Sequence, residues 1–521
     1  MSSSSSSATA AAAAARGTLW SVGLRVLSFV CTQITLRSVD PVALGKANID
    51  LELAFGFILF FSREGFRLVL AKEWNLKLAY ATCALHSIVA ILAWLWLCAF
   101  NDSNSNQDQR DSDSDSFDFR LAATLYCLAA AMEGLAEPRI LKAMYDLRLD
   151  HKVYAEGMAT VTKTFATVLA LWQLGDRYPI TAFGVAQISY ALVYNVVLHR
   201  RIQNLDTPTR EATSSSLASL RNRVFLFTLQ GLFKHGLTEG DRILLVLMVS
   251  EGYDKGLYAL ASAYGSMTAR LLFQPLEENA RLLWSKLVVA ERNNDKKQQL
   301  LQSYTSLVKL VLYVGLIFAA LGSNYTDILL QILGGSSRRP AAPVLSAFCV
   351  YTLAMALNGM TEAFWYAAAV SREQVARLSM VHFVIGAVAY AGLAPLLVAQ
   401  HGTVGLVVAN VLAMLLRSLY ALHFAAEYFQ QGLPALVGSL LPHPIVLLSF
   451  LLTYWVTNIS LQTFLERESN SDMRLLSEWL VLAGKHVAVG VTCFVGIASL
   501  VATLERPYFR SLRNLFREKV E

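Results

Sequence analysis

Runs of about 18–22 mostly apolar residues recur along nearly the whole chain, and each is long enough to cross a bilayer as a helix. Only 16% of the 521 residues are charged, whereas soluble domains carry about 25%. The chain is therefore an integral membrane protein, and no segment has the composition of a soluble domain. The sequence predicts an all-α polytopic membrane protein with about 14 transmembrane helices, which begin near Thr18, Val42, Leu78, Leu121, Val153, Ile180, Val224, Leu257, Tyr304, Val344, Leu378, Thr403, Ile445 and Trp479.

Basic residues between the predicted helices indicate how the chain crosses the membrane. With the N-terminus in the cytosol, the cytosolic loops and tails hold 26 Lys and Arg residues and the opposite loops hold 10. Cytosolic loops of membrane proteins are enriched in Lys and Arg, so both termini are expected in the cytosol. Three N-x-[ST] sequons then lie on or close to the opposite side and offer glycosylation sites: Asn101, Asn324 and Asn458.

Eight Lys or Arg residues interrupt the apolar segments. A cation at the bilayer centre costs at least about 2.5–3.5 kcal/mol, so it normally faces a partner or a water-filled cavity. Few carboxylates lie close to these residues along the sequence. This pattern predicts a central cavity with a positive lining, which suits an anionic headgroup such as the phosphates of a lipid. The eight residues are Arg25, Lys163, Lys234, Arg242, Arg270, Lys309, Arg417 and Lys485.

A weak internal repeat divides the chain. Ala131–Glu137 in the fourth predicted helix parallels Ala356–Glu362 in the tenth, and Gly45 and Gly256 open helices two and eight. Two parallel six-helix halves are a transporter architecture with the substrate site between them; chance similarity between apolar helices is the alternative. The predicted organisation is a disordered low-complexity N-terminus at 1–17, halves at 18–222 and 223–430, two additional C-terminal helices at 431–504, and a cytosolic basic amphipathic tail at 505–521.

The polar motif Gly236–Arg242 lies inside the seventh predicted helix. Its glycines permit close packing or local unwinding, and Glu239, Asp241 and Arg242 could pair with one another. The motif is interpreted either as part of the cavity lining and gate or as a structural ion pair that holds two helices in register.

Two further motifs close helices at the predicted cytosolic surface. Ser62–Arg67 ends helix two, where its charges serve either substrate entry or snorkelling into the headgroups. Gln274–Glu278 ends helix eight at a proline, and its carboxylates, Glu277 and Glu278, could latch against the arginines of the first motif.

The sequence contains no Walker A loop, no HExxH, no nucleophile elbow and no His/Cys metal cluster. No enzyme activity, cofactor or metal is therefore expected, and transport would be facilitated or driven by a gradient. A membrane glycosyltransferase with a dolichol-linked donor usually needs catalytic carboxylates on a substantial first lumenal loop. Here the first such loop, at 39–45, has a single carboxylate, Asp40, which argues against a glycosyltransferase.

These motifs resemble the eukaryotic oligosaccharide-translocation family of the endoplasmic reticulum. The resemblance implies the fold of the multidrug/oligosaccharidyl-lipid/polysaccharide exporter superfamily. It also implies a flippase role in the endoplasmic-reticulum membrane, moving the dolichol-diphosphate heptasaccharide of five mannoses and two GlcNAc from the cytosolic to the lumenal leaflet for N-glycosylation. The resembling segments are Ser62–Arg67, Glu133–Pro138, Leu237–Arg242, Ala269–Glu278 and Leu357–Phe364.

The expected partners are the dolichol-diphosphate oligosaccharide, membrane lipids and glycan-assembly proteins, but no nucleic acid. A non-transporting scaffold for glycan assembly and a multidrug or cation antiporter of the same architecture stay open as alternatives. The resemblance selects Arg63, Arg67, Glu137, Asp241, Arg242, Arg270 and Glu277, whereas Arg25, Lys163 and Lys234 rest on charge and depth alone. The substrate-binding candidates are Arg25, Arg63, Arg67, Lys163, Lys234, Arg242 and Arg270, and the gating or ion-pair candidates are Glu64, Glu133, Glu137, Glu239, Asp241, Glu277 and Glu278.

Overall fold

The computed structural model describes residues 31, 33–105, 113–146, 149–202, 216–249, 251–289, 294–369, 372–470, 476–506 and 508–509. The chain forms two compact units, Met1–Gly256 and Leu257–Glu521. In chain order the helices are α1 (Pro41–Gly45), α2 (Glu52–Leu70), α3 (Leu76–Ser105), α4 (Asp113–Tyr145), α5 (Leu149–Leu174), α6 (Pro179–Arg201), α7 (Leu217–Thr238), α8 (Gly240–Met248), α9 (Gly252–Thr268), α10 (Gln274–Val289), α11 (Asn294–Ala320), α12 (Thr326–Gly334), α13 (Ala342–Ala368), α14 (Arg372–Phe429), α15 (Leu433–Leu440), α16 (Pro444–Asn470) and α17 (Leu476–Leu504).

The predicted helix starts agree with these elements, but the predicted end of helix eight at Pro275 is wrong. Pro275 is the second residue of α10, which continues to Val289, and proline is tolerated in the first turn of a helix because the N–H groups there have no partner within the helix. Every predicted start from Val42 onward lies at or within a helix, and the start at Thr18 lies outside the described residues. The all-α polytopic class is thereby confirmed, while the number of spans stays a prediction. Eight segments of the described residues are long and apolar enough to cross a membrane: Leu76–Ala99, Asp115–Tyr145, Pro179–Arg201, Lys296–Asn324, Ser336–Ala368, Val384–Phe429, Pro444–Ser469 and Glu478–Leu504.

Small residues set the packing of the first unit. Buried alanines recur along α4, among them Ala122 and Ala129, and Ala186 is equally buried on α6. On α6, a Cβ added to Gly184 would lie only 2.9 Å from the Cβ of Leu125 on α4. Helix backbones in membranes approach closely where side chains are small, so α4 and α6 form the packed centre of this unit.

The second unit is built around aromatic rings. Trp284 of α10, Tyr304 of α11, Phe364 of α13 and Phe429 of α14 are all buried. The ring centroids of Tyr304 and Phe364 are 4.5 Å apart, and those of Phe364 and Phe429 are 5.1 Å apart. Such offset and tilted pairs add to the hydrophobic stabilisation of a core. Four helices therefore meet at one cluster.

The longest helix is broken in its middle. α14 runs for 58 residues, but Gly402 has φ 57° and ψ −139°, outside the helical region. Glycine tolerates a positive φ because it has no Cβ. The break separates the two helices that the sequence predicts from Leu378 and from Thr403.

Gly45 and Gly256, which occupy equivalent positions in the sequence repeat, also contact each other in the structure. A Cβ built on Gly45 would lie 2.6 Å from the carbonyl oxygen of Gly252, and a Cβ built on Gly256 would collide with the Pro41 backbone. The start of α9 thus packs directly on α1. This approach requires glycine at both positions.

We expect Gly256→Ala to lower the stability of the protein by about 1–3 kcal/mol, because backbone atoms cannot move aside as a flexible side chain can. The apparent melting temperature of detergent-purified protein, measured by fluorescence-detected size exclusion, checks this. Gly157→Ala is the matched control, since a Cβ there meets no atom within 4 Å. Equal melting temperatures for the two variants would show that the α1–α9 contact is not tight.

Candidate functional site

Two ion pairs join α2 to α4 in the first unit. Arg63 and Arg67 stand one turn apart on α2, and Glu133 and Glu137 stand one turn apart on α4, so each pair of like residues shares one helix face. Arg67 donates from Nε to Glu137 Oε1 at 2.5 Å and from Nη2 to Oε2 at 2.9 Å. Arg63 Nη1 lies 3.8 Å from Glu133 Oε2, beyond hydrogen-bond length. We call the two ion pairs the rungs of a ladder between α2 and α4. The Arg67–Glu137 pair is the tight rung, and the Arg63–Glu133 pair is the loose rung.

The loose rung is also the more accessible one. The side chain of Arg63 is 27% exposed, whereas that of Glu137 is 2% exposed. Gln187 of α6 donates to Glu133 Oε1 at 3.5 Å. His86 of α3 lies so close to Gly134 that any Cβ there would clash with it. Helices α2, α3, α4 and α6 together fix the carboxylates of this ladder.

A third cation lies beside the ladder. Lys163 of α5 donates from Nζ to Glu52 Oε1 of α2 at 3.1 Å, and the two side chains are 32% and 26% exposed. Glu133 is subject to the electrostatic fields of Arg63, Lys163 and Arg67 together. The first unit therefore gathers three of the predicted cationic residues around one buried carboxylate.

The expectation that the membrane cations have few carboxylates nearby is wrong for three of the eight. Lys163 pairs with Glu52, Lys309 with Glu505 at 2.8 Å, and Arg417 with Glu362 at 3.4 Å, while Arg242 pairs with Glu239 at 2.9 Å inside its own motif, as the sequence analysis anticipates. The first three partners are 111, 196 and 55 residues away along the chain, so only helix packing brings them together. Arg25 and the side chains of Lys234 and Arg270 lie outside the described residues, and Lys485 is exposed on α17.

Glu505, directly after α17, joins the end of that helix to α11. Its side chain binds Lys309 of α11 and accepts from the backbone N–H of His443 at 2.7 Å. Burial alone would raise the pKa of Glu505, but these hydrogen bonds and one from Tyr313 lower that pKa overall. The carboxylate is thereby held ionised opposite Lys309, which gives that lysine its counter-charge.

The motif Gly236–Arg242 breaks its helix. α7 ends at Thr238 and α8 begins at Gly240, with Glu239 between them at φ −94° and ψ 9°. Glu239 accepts from Arg242 across this break. The helix is therefore interrupted at Glu239, and Glu239 and Arg242 form an ion pair within the motif. Asp241 lies half-buried at the start of α8.

The second unit carries the counterpart of the α4 motif. Glu362 on α13, at the position that parallels Glu137, accepts from Asn358 Nδ2 at 3.1 Å and from Arg417 Nη2. The carboxylate of Glu277 lies against Gly359, leaving no room for a Cβ. Arginine thus binds the carboxylate at this repeat position in both units, but from α2 in one and from α14 in the other.

The remaining gating candidates are less constrained. Glu278 is exposed, and Glu64 is half-buried with its Cγ near Gly231. Because Glu133 and Glu137 engage Arg63 and Arg67, the predicted latch to the carboxylates of α10 would require those pairs to open.

Two predicted glycosylation sites lie in one hydrogen-bond network of the second unit. Asn324 is buried, and its Nδ2 donates to Thr457 Oγ1 at 2.8 Å, while its Oδ1 accepts from Asn458 Nδ2 at 3.3 Å. His486 Nε2 lies 3.1 Å from the Asn324 carbonyl oxygen. A glycan on Asn324 Nδ2 would break this network, which ties α16 and α17 together. The side chain of Asn101, near the end of α3, lies outside the described residues.

Sequence reasoning missed one buried pair. Lys255 Nζ donates to Asp50 Oδ1 at 3.0 Å, and both side chains are largely buried. With a predicted helix start at Leu257, the sequence places Lys255 in the preceding loop, whereas α9 already begins at Gly252. The available signal was Asp50, a carboxylate inside an otherwise apolar run, which needs a partner in a membrane.

This arrangement defines a class of protein: a helical polytopic membrane protein with the fold of the exporter superfamily. A structure titled lipid II flippase MurJ, inward closed conformation, matches with TM-score 0.58 and 11% identity over 93% of this chain and 98% of its own. An inward-facing multidrug resistance MATE transporter of the MOP superfamily matches with TM-score 0.53 and 12% identity over 79% and 95%. At these identities the likeness shows the fold.

The chain belongs to the Rft protein family, whose model, Rft-1, matches residues 15–515. It is similar to the Man(5)GlcNAc(2)-PP-dolichol translocation protein RFT1 of Mus musculus, at 29% identity over 94% of this chain and 93% of the mouse protein. The Xenopus tropicalis protein of the same name is 28% identical over 94% of both chains. That of Schizosaccharomyces pombe is 26% identical over 83% and 86%.

We expect Glu137→Ala to lower stability by about 3–5 kcal/mol, because it leaves Arg67 buried without its counter-charge. The double variant Arg67→Met, Glu137→Leu removes both charges and should stay within about 1 kcal/mol of the parent. Melting temperatures in detergent give the measurement.

Glu427→Ala serves as the control for that series. It removes an exposed contact with His423 on α14, worth less than about 0.5 kcal/mol. If Glu137→Ala were no less stable than Glu427→Ala, the buried pair would have no structural role.

Proposed function

We propose that this protein carries dolichol-diphosphate-linked Man5GlcNAc2 from the cytosolic to the lumenal leaflet of the endoplasmic-reticulum membrane, for protein N-glycosylation. One observation carries the proposal: relatives named for the translocation of this lipid align with 94% of the chain. The exporter fold supplies a helical frame for such a step. The excess of basic residues in the assigned cytosolic loops supports a multi-pass topology with both termini in the cytosol.

Arg63 and Lys163 are the proposed contacts to the diphosphate in the first unit. Both are part-exposed, and the Arg63–Glu133 separation of 3.8 Å is long for a bond to a carboxylate. A phosphate oxygen forms stronger, charge-assisted hydrogen bonds with a guanidinium than this contact provides. Arg63 can therefore exchange Glu133 for a phosphate with little loss.

Arg67 and Glu137 act as positioning residues in this proposal. Glu137 occupies the Nε–Nη2 edge of the Arg67 guanidinium, and the Arg67 side chain is 14% exposed against 27% for Arg63, so Arg67 is the less accessible of the two arginines. The tight rung holds α2 against α4 and so sets where Arg63 stands. Lys234, Arg242 and Arg270 remain proposed contacts from the sequence, and Glu239 would hold Arg242 until a ligand replaces it.

The protein is proposed to act as a transporter and not as an enzyme, with membrane lipids and glycan-assembly proteins as partners. A non-transporting scaffold for glycan assembly is the alternative. The described ion pairs balance Arg63, Arg67 and Lys163 with carboxylates, so charge does not decide between a flippase and an antiporter of the same architecture. The names of the full-length relatives weigh against it instead.

Leaflet exchange of the dolichol-diphosphate heptasaccharide in liposomes tests the proposal. Purified protein should accelerate exchange over empty liposomes, and Arg63→Gln with Lys163→Gln should slow it about tenfold or more, since a charge-assisted hydrogen bond contributes about 1.5–3 kcal/mol. Arg200→Gln, at an exposed cation of α6, is the matched control and should leave the rate unchanged.

The outcome also separates the alternatives. Folded wild-type protein that gives no more exchange than empty liposomes would favour the scaffold. Exchange at an unaltered rate in the double variant, with Arg200→Gln also unaltered, would retain the transport function but reject Arg63 and Lys163 as phosphate contacts.

A further inference from the structure

Two pockets lie one after the other along α3 in the first unit, and together we call them the α3 cleft. Its outer part, of about 730 Å³, lies between α2, α3 and α7, and its inner part, of about 360 Å³, lies between α2, α3 and α8. Phe61 lines both parts, so its side chain stands where they meet. One face of α3 supplies a continuous wall at helical spacing: Lys77, Ala81, Leu85, Val89, Leu92 and Trp96.

The two ends of the cleft differ in charge. Lys77 and Arg221 line the outer part, both exposed, and neither pairs with a carboxylate in the part of the chain that the structure describes. The neighbouring Arg223 differs, because Glu73 binds it through two hydrogen bonds of 2.6 and 2.7 Å. At the inner end, Asp50 is neutralised by Lys255. The cleft therefore has a cationic mouth and an apolar, electrically balanced interior.

This combination matches an amphiphile with an anionic head and a long apolar chain. Lys77 and Arg221 lie at the ends of α3 and α7 that the charge distribution assigns to the cytosol, at headgroup level. Such a mouth attracts phosphate, while Leu85, Leu92 and Trp96 offer the tail a hydrocarbon surface.

The length of the cleft selects the kind of tail. From Lys77 to Trp96 the helix rises about 28 Å, at 1.5 Å per residue. The hydrocarbon core of a bilayer is about 30 Å thick, so a phospholipid acyl chain reaches only about 15 Å, to the midplane. A polyisoprenyl chain of many units can follow the whole cleft. The occupant best suited to it is thus a polyisoprenyl phosphate lipid.

We propose that this cleft is a loading site for the polyisoprenyl chain of the substrate in the cytosolic leaflet, with Lys77 and Arg221 binding its phosphates. The inference rests on the proposed function for the class of lipid. It concerns binding and not leaflet exchange, so the two can fail separately. Exchange without binding at this cleft would reject the loading site alone, and binding here without exchange would reject the flippase alone.

Photocrosslinking of the full-length protein in nanodiscs tests the site. The probe is a long-chain polyprenyl diphosphate with diazirine groups along the chain, and adducts are mapped by mass spectrometry. Adducts should concentrate on the α3 segment from Leu85 to Trp96. Leu92→Trp, which fills the cleft, should reduce them about tenfold, whereas Leu95→Trp, similarly exposed on α3 but not lining the cleft, should not.

A charge variant examines the mouth independently of the interior. Lys77→Gln with Arg221→Gln should weaken probe binding about tenfold, because each basic side chain near the surface contributes to holding an anionic lipid. Arg200→Gln again serves as the control. Adducts spread evenly over the lipid-facing helices, or equal yields in Leu92→Trp and Leu95→Trp, would overturn the proposal. Loss of adducts to equimolar phosphatidic acid would also overturn it, since the cleft would then bind phospholipids in general.

Discussion

The need to neutralise charge inside a membrane determines how the helices of this protein pair. Isolated cations are costly in hydrocarbon, and the structure meets that cost with carboxylates from other helices. The pair between Arg67 and Glu137 shows this most fully, with two short hydrogen bonds and almost complete burial. Removing either partner alone would leave a buried charge, so α2 and α4 are bound to each other in register.

The two ion pairs between α2 and α4 differ in strength, and this difference links charge neutralisation to the proposed function. A protein in which every cation were held as tightly as Arg67 would have nothing to offer an anionic headgroup. Arg63, one turn away on the same helix, makes only a long contact with Glu133 and is part-exposed. In the proposed function, the tight pair supplies rigidity, and the loose pair leaves a guanidinium that a phosphate can bind. At the helix break, Arg242 likewise forms a part-exposed pair, with Glu239 three residues before it.

Much of the fold could be predicted from the sequence because apolar run length depends only on local composition. The interruption at Gly236–Arg242 and the division at Gly402 were also accessible from local signals, namely glycines and turn-forming residues. Ion pairing between distant parts of the chain was not accessible, because the partner of Lys163 is 111 residues away and that of Arg67 is 70 residues away. A sequence does not show how the helices pack, so it cannot distinguish a paired cation from an unpaired one. The equivalence of Glu137 and Glu362 was visible as a repeat, but the different helices that supply their arginines were not.

The central claim is that a diphosphate replaces Glu133 at Arg63 while Arg67 stays bound to Glu137. The most direct measurement is a cryo-electron microscopy structure of the full-length protein in nanodiscs with dolichyl diphosphate oligosaccharide. The account predicts phosphate density within hydrogen-bond distance of Arg63, an Arg63–Glu133 separation longer than 3.8 Å, and an unchanged Arg67–Glu137 pair. Phosphate density away from Arg63, or a bound state in which the Arg67–Glu137 pair has opened instead, would contradict it.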